Sequence, residues 1–156
     1  MIDKDKIIEQ LKEKVEKELN QLKAAYKVQK ELVQRGDLKS DGKYDTRATE
    51  ANYLADGQRK RITELELQLL DEIDIKHSPK NVSIGSVVEI KLNKQIQKYF
   101  IAPTAGGTML NIEGIPILVI SVFSPIGDGI LGLEQGEGFE IEIKDTLREY
   151  QVVSFY

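Results

Sequence analysis

The 156-residue chain has no cysteine, no tryptophan, a single histidine and only four prolines. Without cysteine there is neither a disulfide nor a thiolate nucleophile, and a structural zinc has too few ligands to be built. His77 stands without a second imidazole, which argues against a metal site or a Ser-His-Asp triad around it and for a solvated linker residue. Aromatic residues make up 6% of the chain, so the core is expected to consist of Leu, Ile and Val. No apolar run approaches the roughly 18 residues that cross a bilayer. The opening Met1-Ile2-Asp3-Lys4-Asp5-Lys6 mixes charges and lacks the apolar stretch of a secretory signal. A cytoplasmic protein without membrane contact is the expectation. The net charge of −4 argues against a protein that grips nucleic acid over its whole surface, and neither half of the chain is a basic arm. Contact with nucleic acid is therefore expected to run through a protein partner.

What is present divides into two periodicities. From Lys6 to about Gln34 there is no Gly or Pro, and Ile8, Leu11, Val15, Leu19, Leu22 and Tyr26 recur every three or four residues. Arg35-Gly36-Asp37 supplies a helix stop. A second stripe follows from about Thr46 to Ile73 through Ala48, Ala51, Ala55, Gln58, Ile62, Leu65, Leu69 and Ile73. Two helices of similar length, each about 42–45 Å long at 1.5 Å per residue, predict an antiparallel coiled-coil hairpin. Beyond His77-Ser78-Pro79-Lys80 the period becomes two. Val87–Leu92, Lys98–Ala102, Met109–Ile112, Ile115–Val122, Phe139–Ile143 and Tyr150–Phe155 read as strands, and Pro125–Leu133 as a short helix with Pro125 in its first turn. The expected class is α+β: a hairpin domain over 1–76, then a small antiparallel β domain over 80–156.

Two glycine motifs carry no chemistry. Gly127-Asp128-Gly129-Ile130-Leu131-Gly132 matches G-x-G-x-x-G, but the turn-like Leu133-Glu134-Gln135-Gly136 follows where a dinucleotide site needs a long helix. Gly106-Gly107 lacks the Lys-Ser/Thr of a P-loop.

The segment between the helices is more informative, since Asp37, Asp41 and Asp45 lie within nine residues at the end of a rod. Each has a local use: Asp45 as a helix cap, Asp41 in an Asx-turn before Gly42, Asp37 after the C-cap glycine. Together they also suit delivery of carboxylates into another enzyme's cavity, to help hold a divalent cation that takes only one or two protein carboxylates.

Several stretches resemble the Gre transcript-cleavage factors of bacterial RNA polymerase. Gly36-Asp37-Leu38 with Tyr44 is similar to the family's tip loop, and Arg61-Ile62-Thr63-Glu64-Leu65-Glu66 to its returning helix. Ile84-Gly85-Ser86-Val87-Val88 resembles the start of its second domain. Ser124-Pro125-Ile126-Gly127, Leu131-Gly132 and Gly136-Glu137 resemble that domain's most specific segment. The resemblance spans nearly the whole chain, with the pieces in the same order.

It implies an FKBP-like second domain that docks on RNA polymerase, with Phe123, Ser124 and Pro125 in the docking loop. It also implies a coiled coil that enters the secondary channel as a monomer. Tip carboxylates would share a Mg²⁺ with the polymerase, which then cuts the RNA 3′ end of a backtracked complex. The chain would stimulate the polymerase rather than act as an enzyme alone, and would meet RNA and DNA only through it. Asp37 matches the first catalytic acid of the family. Ser40 stands where the family has its second, with Asp41 beside it as the natural substitute and Asp45 as another candidate. Phe123 stands where an acidic residue often precedes Ser-Pro. These departures leave open a second reading, a Gre-like channel regulator without cleavage activity. A third is an unrelated coiled-coil protein, such as a chaperone or a prolyl isomerase.

Overall fold

A computed structural model of the chain describes residues 1–35, 60–61, 67–76 and 78–156. The element order is α1 (Lys4–Arg35), α2 (Leu67–Asp71), β1 (Val87–Leu92), β2 (Gln95–Ala102), β3 (Met109–Ile112), β4 (Ile115–Ser121), α3 (Pro125–Ile130), β5 (Gly138–Ile143) and β6 (Thr146–Phe155). A long N-terminal helix and a six-stranded sheet make the fold α+β. Two compact units result, Met1–Lys12 with Leu67–Tyr156, and Glu13–Glu66.

Within the first unit, α1 starts on Asp3, whose carboxylate accepts the Asp5 N–H at 2.9 Å and satisfies one of the donors a helix start leaves free. Ile7 and Leu11, one turn apart, are fully buried. Ile7 thus takes the place expected for Ile8, which is only half-buried. Both side chains lie near the predicted stripe, and the choice falls to the one that turns inward where α1 joins the sheet unit. Lys6 pairs with Glu113, and Lys12 pairs with Asp71 on α2. The second helix ends at Asp71, two residues before the expected Ile73.

The sheet order is β3-β4-β2-β1-β6-β5. One correction to the antiparallel expectation follows: β2 and β4 run parallel, with Phe100 beside Val119, while the other pairs are antiparallel. The reason is the path between them. β3 lands at the edge of the sheet, and the hairpin it forms folds β4 back into the gap beside β2. Three tight hairpins set the registers: Asn93-Lys94, Glu113-Gly114 and Lys144-Asp145 each place two residues at positive φ. That geometry matches the right-handed twist of the flanking strands. Only one of the three turns contains glycine, so β2 and β6 begin three and four residues before the predicted Lys98 and Tyr150.

Alternation along these registers gives the sheet two apolar faces. Val88, Ile90, Tyr99, Ile101, Ile120, Tyr150 and Val152 form one core with Val82 and Ile130, and Ile126, Leu133 and Phe139 pack against it. Burial pushes the Tyr99 phenol above its ordinary value and Tyr150 adds to the shift; the Tyr99 hydroxyl donates to Gln97 Oε1 at 2.8 Å. Val87, Phe100, Leu110, Ile117 and Val119 are buried on the opposite face. Gln10 of α1 bonds the Asn111 backbone at the β3 edge, bringing the first turns of α1 to that side.

The second unit contains the rest of α1. Val15 and Leu19 are buried, and Leu22 and Tyr26 half-buried, as the stripe predicts. Lys60 and Arg61 are helical, and Arg61 Nε donates to Glu18 at 2.9 Å. The remainder of the predicted second helix, and His77, lie outside the described residues.

Replacing Phe100 with Ala is expected to cost about 3–5 kcal/mol, whereas Ile96→Ala, on the exposed end of the same strand, should stay within about 0.5 kcal/mol. Urea unfolding checks this; equal midpoint shifts would contradict the two-faced core.

Candidate partner-docking loop

The sequence singled out two places, and the structure describes one of them. Asp37, Asp41 and Asp45 lie outside the described residues. Phe123, Ser124 and Pro125 fall on the turn that carries the chain from β4 into α3.

This turn is built from Ser121 outward. The Ser121 carbonyl accepts the Ser124 N–H at 3.0 Å and the Ser124 hydroxyl at 2.7 Å, while the Ser121 hydroxyl accepts the Phe123 N–H at 3.2 Å. The Ser124 hydroxyl in turn accepts the Gly127 N–H at 3.0 Å. Ser124 is the N-cap of α3, with extended backbone (φ −78°, ψ 159°), and Pro125 follows it where a missing N–H costs nothing. Each hydroxyl therefore works twice or holds a backbone group in place.

Gly127 is required by contact rather than by backbone angle. A Cβ there would stand 2.0 Å from the Ser121 carbonyl oxygen, so the helix can lie on the end of β4 only without a side chain at this position. The helix ends at Ile130, short of the predicted Leu133. Gly132 donates to the Val82 carbonyl and Val82 to the Leu133 carbonyl, both at 2.8 Å, which draws the chain away from the helix axis. With Gly127 and Gly129 inside a six-residue helix and no helix after Gly132, the dinucleotide reading has no support.

On this braced turn Phe123 is 85% exposed. Pro125 is exposed beside it, and the Ser124 hydroxyl is engaged internally. The surface offered is an aromatic ring and a proline on a hydrogen-bonded turn, with Asp128 the charge in the first turn of α3. Exposed aromatic side chains are common anchors of protein interfaces. Sequence reasoning named Phe123, Ser124 and Pro125 but missed Ser121. Its signal was the pair of serines three apart before Pro125, in which the first hydroxyl and carbonyl brace the second.

No group of three or more His, Cys, Asp or Glu side chains capable of holding a metal occurs among the described residues. No described helix is long and apolar enough to cross a membrane.

Comparison with known proteins places these features in a family context. Residues 76–156 match the family model described as Transcription elongation factor, GreA/GreB, C-term, a segment that contains the whole turn. Over 154 residues the chain is 29% identical to the transcription elongation factor GreA of Clostridium kluyveri, covering 90% of this chain and 89% of that one. It is 28% identical to GreA of Clostridium botulinum over 153 residues, covering 90% and 88%. Among solved structures it is similar to GreA factor homolog 1 (Gfh1) of Thermus thermophilus, at 24% identity, 96% and 94% coverage and a TM-score of 0.39.

Loss of the cap in Ser124→Ala is expected to cost about 1 kcal/mol, and Gly127→Ala the larger amount, about 1–3 kcal/mol, because the new methyl meets a carbonyl that β4 holds still. Thermal unfolding of the two variants checks the order; a Gly127→Ala protein as stable as the parent would refute the contact argument.

Proposed function

From the premise that the chain belongs to the GreA/GreB family of transcription elongation factors, we propose that it docks on RNA polymerase and stimulates cleavage of backtracked RNA. The observation that carries this reading is the family match over 76–156, which includes the braced turn at Phe123-Ser124-Pro125. In this reading Phe123 and Pro125 meet the polymerase, while Ser124 keeps the turn in the conformation that presents them.

Asp37 and Asp41 act inside the polymerase, with Asp45 as a further candidate. Their carboxylate oxygens are the donor chemistry that Mg²⁺ takes, and one or two such groups suffice because the ion keeps several waters. Such an ion, shared with the polymerase, supplies charge stabilisation for the attacking and leaving oxygens of a phosphodiester. Asp37 and Asp41 contribute negative charge and acceptors that position the ion and a water. The chain is a cofactor of the polymerase's own hydrolysis and meets RNA and DNA only within that complex. A cytoplasmic monomer suits this role.

A second reading, binding in the secondary channel without cleavage, is favoured by one observation, Ser40 at the position of the family's second acid. The test uses a stalled, backtracked elongation complex with 3′-labelled RNA, Mg²⁺ and the purified chain. Release of a short labelled fragment is expected, reduced at least about 100-fold, the scale of removing a transition-state group, by Asp37→Ala with Asp41→Ala. No release, together with competition against a known channel-binding factor, would establish the second reading. Unchanged cleavage in the double variant would remove the tip acids from the mechanism.

A further inference from the structure

The sheet ends in two edge strands, β3 and β5, and the chain treats them differently. At β3 the Gln10 amide makes a two-point contact with one residue: Nε2 donates to the Asn111 carbonyl at 2.9 Å, and Oε1 accepts the Asn111 N–H at 2.8 Å. A primary amide so placed imitates a neighbouring strand and closes this edge.

β5 has no such cover. It is six residues long, without proline and in unbroken register with β6. Among the described residues no hydrogen bond reaches its outer side. The turn decides which groups face outward. Lys144-Asp145, with φ of 48° and 63°, is a two-residue turn that makes Ile143 and Thr146 a hydrogen-bonded pair. Alternation then points the backbone groups of Ile141 and Phe139 at β6, and those of Glu142, Glu140 and Gly138 away from it.

The side chains specify what fits. Glu140 and Glu142 are exposed on one face, while Phe139, Ile141 and Ile143 are half-buried on the other. Glu140 lies directly across from Glu149, like charges opposed at a position that favours opposite ones. Among the described residues no cation pairs with Glu140, Glu142 or Glu149. The groove over β6, on the inner side of β5, is lined by Glu140 and Glu149 together with Lys91 and Lys94, so the lysines lie inward of β5 and not at its outer edge. A second copy of the chain is a poor occupant. Antiparallel pairing of two β5 strands centred on Glu140 or Ile141 sets glutamate opposite glutamate.

We infer that the outer edge of β5 is a strand-addition site for an extended segment of a partner protein with lysine or arginine at alternate positions. The cations lie against Glu140 and Glu142, and the intervening apolar side chains continue the row of Phe139, Ile141 and Ile143. Main-chain bonds supply affinity and the alternation supplies selectivity.

The test titrates the full chain, labelled with ¹⁵N, with a synthetic peptide of alternating lysine and valine, and separately with its glutamate–valine counterpart. The lysine peptide is expected to slow hydrogen exchange at the Glu140 and Glu142 amides, and the glutamate peptide to leave it unchanged. Glu140→Pro removes one outward N–H without touching the β6 ladder and should abolish binding. Glu140→Lys with Glu142→Lys leaves the backbone intact and should weaken the lysine peptide about tenfold. Unchanged exchange with the lysine peptide would overturn the inference, as would equal binding by the Glu140→Pro variant. A concentration-dependent dimer in sedimentation that Glu140→Pro dissolves would instead assign the edge to a second copy.

Discussion

A sheet with two apolar faces must be covered on both, and this requirement organises the first unit. In the C-terminal half of β2, Tyr99, Phe100, Ile101 and Ala102 are consecutive buried residues, alternating between the faces. A slip of one residue in the pairing would exchange Phe100 with Ile101 and expose both cores to mismatch. The three two-residue hairpins prevent that slip, because each fixes the pair that closes it. One face is met by α3 and the segment through Leu133, and the start of α1, with Ile7 and Leu11 buried, is tied to the β3 edge. The N-terminus of the chain is therefore part of the β unit, tied also by the Ile2 N–H on the Tyr156 hydroxyl at 2.7 Å.

The same scaffold positions the turn after β4. Ser121 is the last residue of β4 and is paired with Ala102 of β2, so the sheet positions its carbonyl where it receives the Ser124 N–H and hydroxyl. Gly127 then lets α3 settle against that carbonyl. A contact surface held before an encounter gains affinity, since ordering it afterwards would subtract from the binding energy. In this chain the ordering is done by hydroxyl and carbonyl groups already committed to the fold.

Much of this could be read in the residues. The strands at Val87–Leu92 and Met109–Ile112 coincide with their predicted bounds, because alternating Val, Ile and Leu between polar turns has few other solutions. The helix after Ser124 was legible from Pro125. The starts of β2 and β6 were less so, since Asn93-Lys94 and Lys144-Asp145 adopt positive φ without a full glycine signal. The parallel pairing of β2 with β4 was not legible at all. It depends on which gap the β3–β4 hairpin enters, and that is a contest among whole-sheet packings rather than a property of any segment.

By itself the sequence determined the α+β class, the family and the residue types of the candidate sites, because periodicity, turn chemistry and short motifs are local. Tertiary structure alone decided that Ile7 rather than Ile8 is buried, and that Ser121 braces Ser124. It also decided that Gln10 closes one sheet edge while Glu140 and Glu142 border the other. Each of these pairs a side chain with a backbone group or a face whose position is set by strand order and register, and those are settled only when the whole sheet is assembled.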